Sequence, residues 1–270
     1  MKVVRNLGAS TFSFMWQEPA LISMRRFKAL GLDGFDIIMA PGHLWPDELD
    51  SNARRDLAKA LKTEKISVDS LNLPPLDYNI CSPDHEARRF SIAMYQKVFA
   101  LARDLDIRKV VVVPGRVSAL LPPARDLTLD RLADSFEQFL KWADRDDQEI
   151  LVESHPLTPI ASGEAVEGFI KRLNSPRLSI AYDVANAEFI GEDQSATLRR
   201  IRGSLGQVHL SDGTRTSWRH DPVGSGTVDF AAVMKTLDEI DFGGVTLLEI
   251  IAADAATQIP ASIDALRQMS

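Results

Sequence analysis

The chain has 270 residues, 45% of them hydrophobic and 26% charged, which is the profile of an ordinary globular protein and is compatible with a single α/β barrel of about 250 residues. Thirty-eight acidic against 31 basic side chains give a net charge of −7, so long-range repulsion argues against nucleic acid and anionic membranes as partners. One cysteine, Cys81, excludes an internal disulfide or a Cys-based zinc cluster, and no run of about 18 apolar residues occurs; a cytoplasmic protein is expected.

In chain order, strand-like runs are VVRNLGAS near Val3, FDII at Phe35, ISVDSLNL at Ile66 and KVVVVP at Lys109. EILVE ending at Glu153, LSIAYD ending at Asp183, GQVHLSD around His209 and VTLLEI around Glu249 continue the series. Helical periodicity lies between them over 20–30, 53–61, 83–105, 129–143, 164–173 and 230–240. Ser82 before Pro83 reads as an N-cap followed by a first-turn proline, and Asp229 before Phe230 as another cap. About eight alternating strand–helix units imply a parallel sheet closed into a single (β/α)8 TIM barrel over residues 1–270. An open doubly wound sheet is the alternative, but no Gly-x-Gly-x-x-Gly follows the first strand.

Parallel strands buried on both faces should be almost wholly apolar. Four late runs nevertheless carry Glu153, Asp183, His209 and Glu249 at or near their ends. In a (β/α)8 barrel the C-terminal strand ends surround one axis, so these side chains, distant in sequence, converge. Three carboxylates in a partly desolvated pocket repel one another, and a divalent cation is the simplest remedy. The oxygen-rich set with one nitrogen suits Mn²⁺ first, then Mg²⁺ or Co²⁺, with Zn²⁺ or Fe²⁺ allowed.

The segments LVESHP at Glu153, IAYDVANA at Asp183, QVHLSDG at His209, RHDPVGSGTVDF from Arg219 and LLEI at Glu249 resemble the xylose isomerase-like TIM barrel superfamily. That group holds sugar phosphate isomerases and epimerases, ketose 3-epimerases, inosose and 3-dehydroshikimate dehydratases, and endonuclease IV proteins. The resemblance implies that Glu153, Asp183, His209 and Glu249 are the metal ligands and that Glu153 and Glu249 are also the catalytic proton carriers. It implies a small carbohydrate-like substrate as partner and leaves a homo-oligomer open. Asn186 stands where the family often has a histidine three residues after the aspartate, and Asn72 and Pro114-Gly115 stand where the endonucleases place further zinc ligands. A trinuclear zinc cluster and DNA repair are therefore not expected.

The aperiodic stretch 211–228 reads as a functional loop carrying Trp218, Arg219 and His220; Arg219 and His220 are expected to bind substrate and stabilise an enediolate. Gly224-Ser225-Gly226 is too short to assign as a phosphate cradle. His155, two residues past Glu153, projects to the same side on an extended backbone, while His43 and Trp45, with Phe12, Phe14 and Trp16, are candidates for an aromatic wall; Asn186 completes the expected substrate-binding set. The expected activity is metal-dependent isomerisation or epimerisation of a small ketone by glutamate-mediated proton transfer. A dehydratase sharing the first proton abstraction is the main alternative, and a non-catalytic sugar-binding barrel a further one.

Overall fold

The computed structural model describes residues 6–269. Eight parallel strands close a barrel: β1 (Leu7–Ser10), β2 (Phe35–Ile38), β3 (Val68–Asn72), β4 (Lys109–Val112), β5 (Glu149–Glu153), β6 (Leu178–Asp183), β7 (Leu205–Leu210) and β10 (Val245–Leu248). β1 pairs with both β2 and β10, so the sheet has no free edge. Around it run α1 (Ala20–Ala29), α2 (Ser51–Thr63), α3 (His85–Asp104), α4 (Arg125–Asp146), α5 (Gly163–Leu173), α6 (Val184–Ile190), α7 (Gln194–Ile201), α8 (Phe230–Glu239) and α9 (Ala255–Gln268). A two-stranded antiparallel hairpin, β8 (Asp212–Thr214) and β9 (Ser217–Asp221), rises between β7 and α8.

Alternation along the strands divides the apolar side chains between two layers. Val110, Val112, Ile150, Val152, Ile180 and Tyr182 join the large core under the helices. Their neighbours Val111, Leu151 and Ala181 form a separate buried cluster on the other face, inside the barrel. At β1 the closure needs a glycine, because a Cβ on Gly8 would lie 1.7 Å from the carbonyl oxygen of Gly34.

The barrel agrees with the periodicity, with local corrections. The first strand begins at Leu7; Val3 to Arg5 of the expected run lie outside the described residues. The third helix starts at His85, because the Asp84 carboxylate accepts from the amides of Glu86 and Ala87, whereas Ser82 Oγ accepts from the Asp84 amide. Asp229 does cap its helix, accepting from the Ala232 amide. α6, α7, α9 and the hairpin were not expected; α6 and α7 are short and follow one another without an intervening strand, which hides their period. No described helix is long and apolar enough to cross a membrane.

Candidate metal centre

Glu153 closes β5, Asp183 closes β6, His209 is the penultimate residue of β7, and Glu249 follows β10. Register makes them neighbours: Asp183 pairs with His209, and His209 with Leu247. Their ligand atoms all lie within 4.8 Å of one another, and all four residues are buried. The set could hold a metal ion. Asp183 provides the fit test: Oδ1 accepts the Asn186 amide at 2.7 Å and caps α6, while Oδ2 is buried without a hydrogen-bond partner. A buried carboxylate oxygen left this way suits a cation. Asp183 thus serves as helix cap and candidate ligand at once.

Electrostatics within the cluster are divided. Burial pushes the Asp183 carboxyl up to about 6 and Glu153 well above the usual carboxylate range. Burial acts on Glu249 too, but the charge of His209 and its hydrogen bond, Nδ1 to Oε2 at 3.2 Å, hold this carboxyl down to about 2. The two glutamates facing one space are thus shifted in opposite directions, Glu153 up by burial and Glu249 down by His209.

Through Glu153 and Glu249 the cluster borders a cavity of about 460 Å³. Glu153, Glu249, His155, Arg219 and His220 line it, together with Trp218 and Phe12. His220 Nδ1 is 3.5 Å from Asp183 Oδ2 and 3.4 Å from Glu249 Oε2, and shares a hydrogen bond with Ser211 Oγ. His155 meets the Trp218 ring edge-on at 4.8 Å, and burial together with nearby His220 lowers its pKa to about 4. The Arg219 side chain is 61% exposed and its Nε donates to Asp221 at 2.7 Å, so it stands on the rim.

Three expected substrate contacts lie elsewhere. Asn186 does not line the cavity: its Nδ2 donates to the Ser154 carbonyl and its Oδ1 accepts from Trp218 Nε1, so it braces the wall from behind. His43 is buried between the Glu18 carbonyl and Thr11 Oγ1, and Trp45 packs on the core. Both residues hold loops. Phe12 does reach the cavity, whereas Phe14 belongs to the core and Trp16 is exposed.

The Gly-Ser-Gly turn is already filled. Asp212 Oδ2 accepts from the Gly224 amide and Oδ1 from the amides of Gly213 and Val228. A Cβ on Gly226 would meet the Gly213 carbonyl oxygen at 2.2 Å, so the turn closes tightly on that carboxylate.

Arg116, Pro74 and Ile251 also line the cavity and were not expected there; so does Asn72, which the sequence marked only as a departure from the endonuclease pattern. Asn72 Nδ2 donates to Asp36 at 3.1 Å, leaving its Oδ1 buried and without a partner. The signal was available: Asp36 and Asn72 interrupt apolar strands as Glu153 and Asp183 do.

The xylose isomerase-like TIM barrel family matches residues 24–269. The L-ribulose-5-phosphate 3-epimerase UlaE of Shigella flexneri is 24% identical over 247 residues, covering 89% of this chain and 86% of its own. Among solved structures, a D-tagatose 3-epimerase-like protein superposes with a TM-score of 0.83 at 20% identity, over 98% of this chain and 96% of that one. The IolI protein with a bound zinc atom gives a TM-score of 0.81 at 17% identity, again over 98% and 96%.

Proposed function

This chain belongs to the xylose isomerase-like TIM barrel family, and on that premise we propose that it is a divalent-metal-dependent isomerase or epimerase of a small ketose or polyol-derived ketone. One observation carries the reading: three carboxylates and one imidazole at the ends of four barrel strands lie within 4.8 Å of one another, and two of them, Glu153 and Glu249, line a sugar-sized cavity. The sugar epimerases among its relatives and structural neighbours support it.

Glu153, Asp183, His209 and Glu249 would hold one divalent ion, with Mn²⁺ the best match to three oxygens and one nitrogen. Bound there, the ion would supply a Lewis acid that polarises a substrate carbonyl and acidifies the adjacent C–H bond. Glu153 and Glu249 come from strands three steps apart around the ring and approach the substrate from different sides. One carboxylate removes the proton from the carbon beside the carbonyl. The other, protonated, delivers a proton to the opposite face, and the configuration inverts. His220, close to both Asp183 and Glu249, hydrogen-bonds a substrate hydroxyl. His155 and Arg219 contact the sugar further out, and Trp218 and Phe12 receive its C–H faces.

The test is incubation of Mn²⁺-reconstituted protein in D₂O with a panel of ketoses, inososes and 3-dehydroshikimate. An epimer or isomer carrying solvent deuterium at the reacting carbon is the expected product. A conjugated enone would reassign the protein as a dehydratase, and full turnover by thoroughly metal-free protein would overturn the metal reading.

A further inference from the structure

Beside the apolar Val111, Leu151 and Ala181, the barrel interior also holds a polar group. Gln207, two residues before His209 on β7 and fully buried, donates from Nε2 to Asp69 Oδ2 at 2.7 Å and to Ser70 Oγ at 2.9 Å. Its Oε1 lies 2.8 Å from His209 Nε2. Each contact dictates the next. Asp69, which also accepts from Lys109 Nζ at 2.9 Å, has only acceptor oxygens to offer, so the nitrogen end of the carboxamide must face it. Ser70 spends its one hydrogen on Asp36 Oδ1 at 2.5 Å and so receives from Gln207. Only the amide oxygen is left for His209, and an amide oxygen only accepts. His209 Nε2 must then carry hydrogen, and Nδ1, 3.2 Å from Glu249 and 3.8 Å from Asp183, faces the carboxylates.

We propose that Gln207 is the positioning residue of this centre: held by Asp69 and Ser70, its carboxamide keeps the proton on His209 Nε2 and commits Nδ1 to the metal ion. The inference rests on the metal-binding reading above and adds to it the atom that binds and the device that selects it. A buried acceptor behind a ligating histidine fixes the tautomer, prevents the ring from turning, and raises the basicity of the ligating nitrogen. Gln207 touches neither the ion nor the substrate.

The experiment reads metal affinity and the bonded nitrogen, not turnover. Zn²⁺ affinity is measured by competition with a chromophoric chelator in wild type, His209→Ala and Gln207→Met. The bonded nitrogen is read from scalar coupling to ¹¹³Cd in ¹⁵N-histidine-labelled protein. Wild type is expected to couple through Nδ1 with a hydrogen on Nε2. Gln207→Met should bind Zn²⁺ about 10–100-fold more weakly. If wild type and His209→Ala bind Zn²⁺ alike, or neither binds it, the metal reading itself fails. If binding depends on His209 but goes through Nε2, or Gln207→Met keeps wild-type affinity and Nδ1 coordination, the role of Gln207 is overturned while the centre stands. Should Gln207→Met not fold, Asp69→Ala removes the acceptor that holds the amide end; severalfold weaker Zn²⁺ supports the inference and wild-type affinity overturns it.

Discussion

The indole Nε1 of Trp218 donates to the side-chain oxygen of Asn186 at 2.7 Å. Through this bond the hairpin wall is tied to the residue whose backbone amide donates to the capping carboxylate of Asp183 and, by its Nδ2, to the backbone just after Glu153. Asn186→Ala therefore leaves a part-buried indole N–H without its acceptor and the Ser154 carbonyl without the Asn186 donor. The expected loss is about 1–3 kcal/mol of stability, read by urea unfolding, with weaker metal retention on dialysis. Unchanged values in both assays would show that the tie is dispensable.

Metal content follows from the cluster. Purified protein should hold about one divalent ion per chain, and added Mn²⁺ should raise the melting temperature in a concentration-dependent way. His209→Ala and Asp183→Ala should lose most of the ion and of that thermal shift while retaining the barrel's circular dichroism. Elemental analysis together with thermal melts decides it.

Asp36 makes stability depend on pH. Burial pushes its carboxyl up to about 7, although the charge of His209 and the bonds from Ser70 and Asn72 favour the ionised form. In the unfolded chain the group titrates near the ordinary aspartate value. Between about pH 4 and 7 the native state thus holds the extra proton, and stability falls as pH rises through this window, by up to about 1.4 kcal/mol per pH unit. Urea unfolding of metal-free protein should show this slope component in wild type and not in Asp36→Asn. Parallel curves for the two proteins would contradict it.

Replacing the proton carriers should be severe. Glu153→Gln and Glu249→Gln are each expected to lower turnover of an accepted ketose by about 10²–10⁴-fold and to suppress solvent deuterium in the product. Because both side chains are also candidate ligands, metal content is measured alongside. Near-normal turnover with metal bound in both variants would remove the glutamates from the mechanism.

Much of this was legible in the sequence because parallel strands buried on both faces expose any polar interruption. Glu153, Asp183, His209 and Glu249 stood out on that ground, and their register follows from the barrel. Asp36, Asn72 and Gln207 interrupt strands in the same way, but partners such as Asp69 and Lys109 lie on other strands, so their roles become readable only in three dimensions. His43 and Trp45 show the reverse case. Their residue types suit a sugar pocket, yet the β2–α2 loop turns them toward Thr11 and the core. Nothing in a loop sequence fixes that direction. The hairpin escaped because its strands are only three and five residues long and the second is partly exposed.

The Asp212 carboxylate, with three backbone amides gathered on it, has a consequence for affinity. Loops that order only on contact with a ligand charge that ordering against binding, at roughly 0.5–1.5 kcal/mol per immobilised side chain. Here an internal anion has closed the turn beforehand, and the hairpin bearing Trp218 and His220 is already set. The wall is preorganised, so the contacts it would make with the proposed small, weakly adhesive sugar would add to affinity almost undiminished.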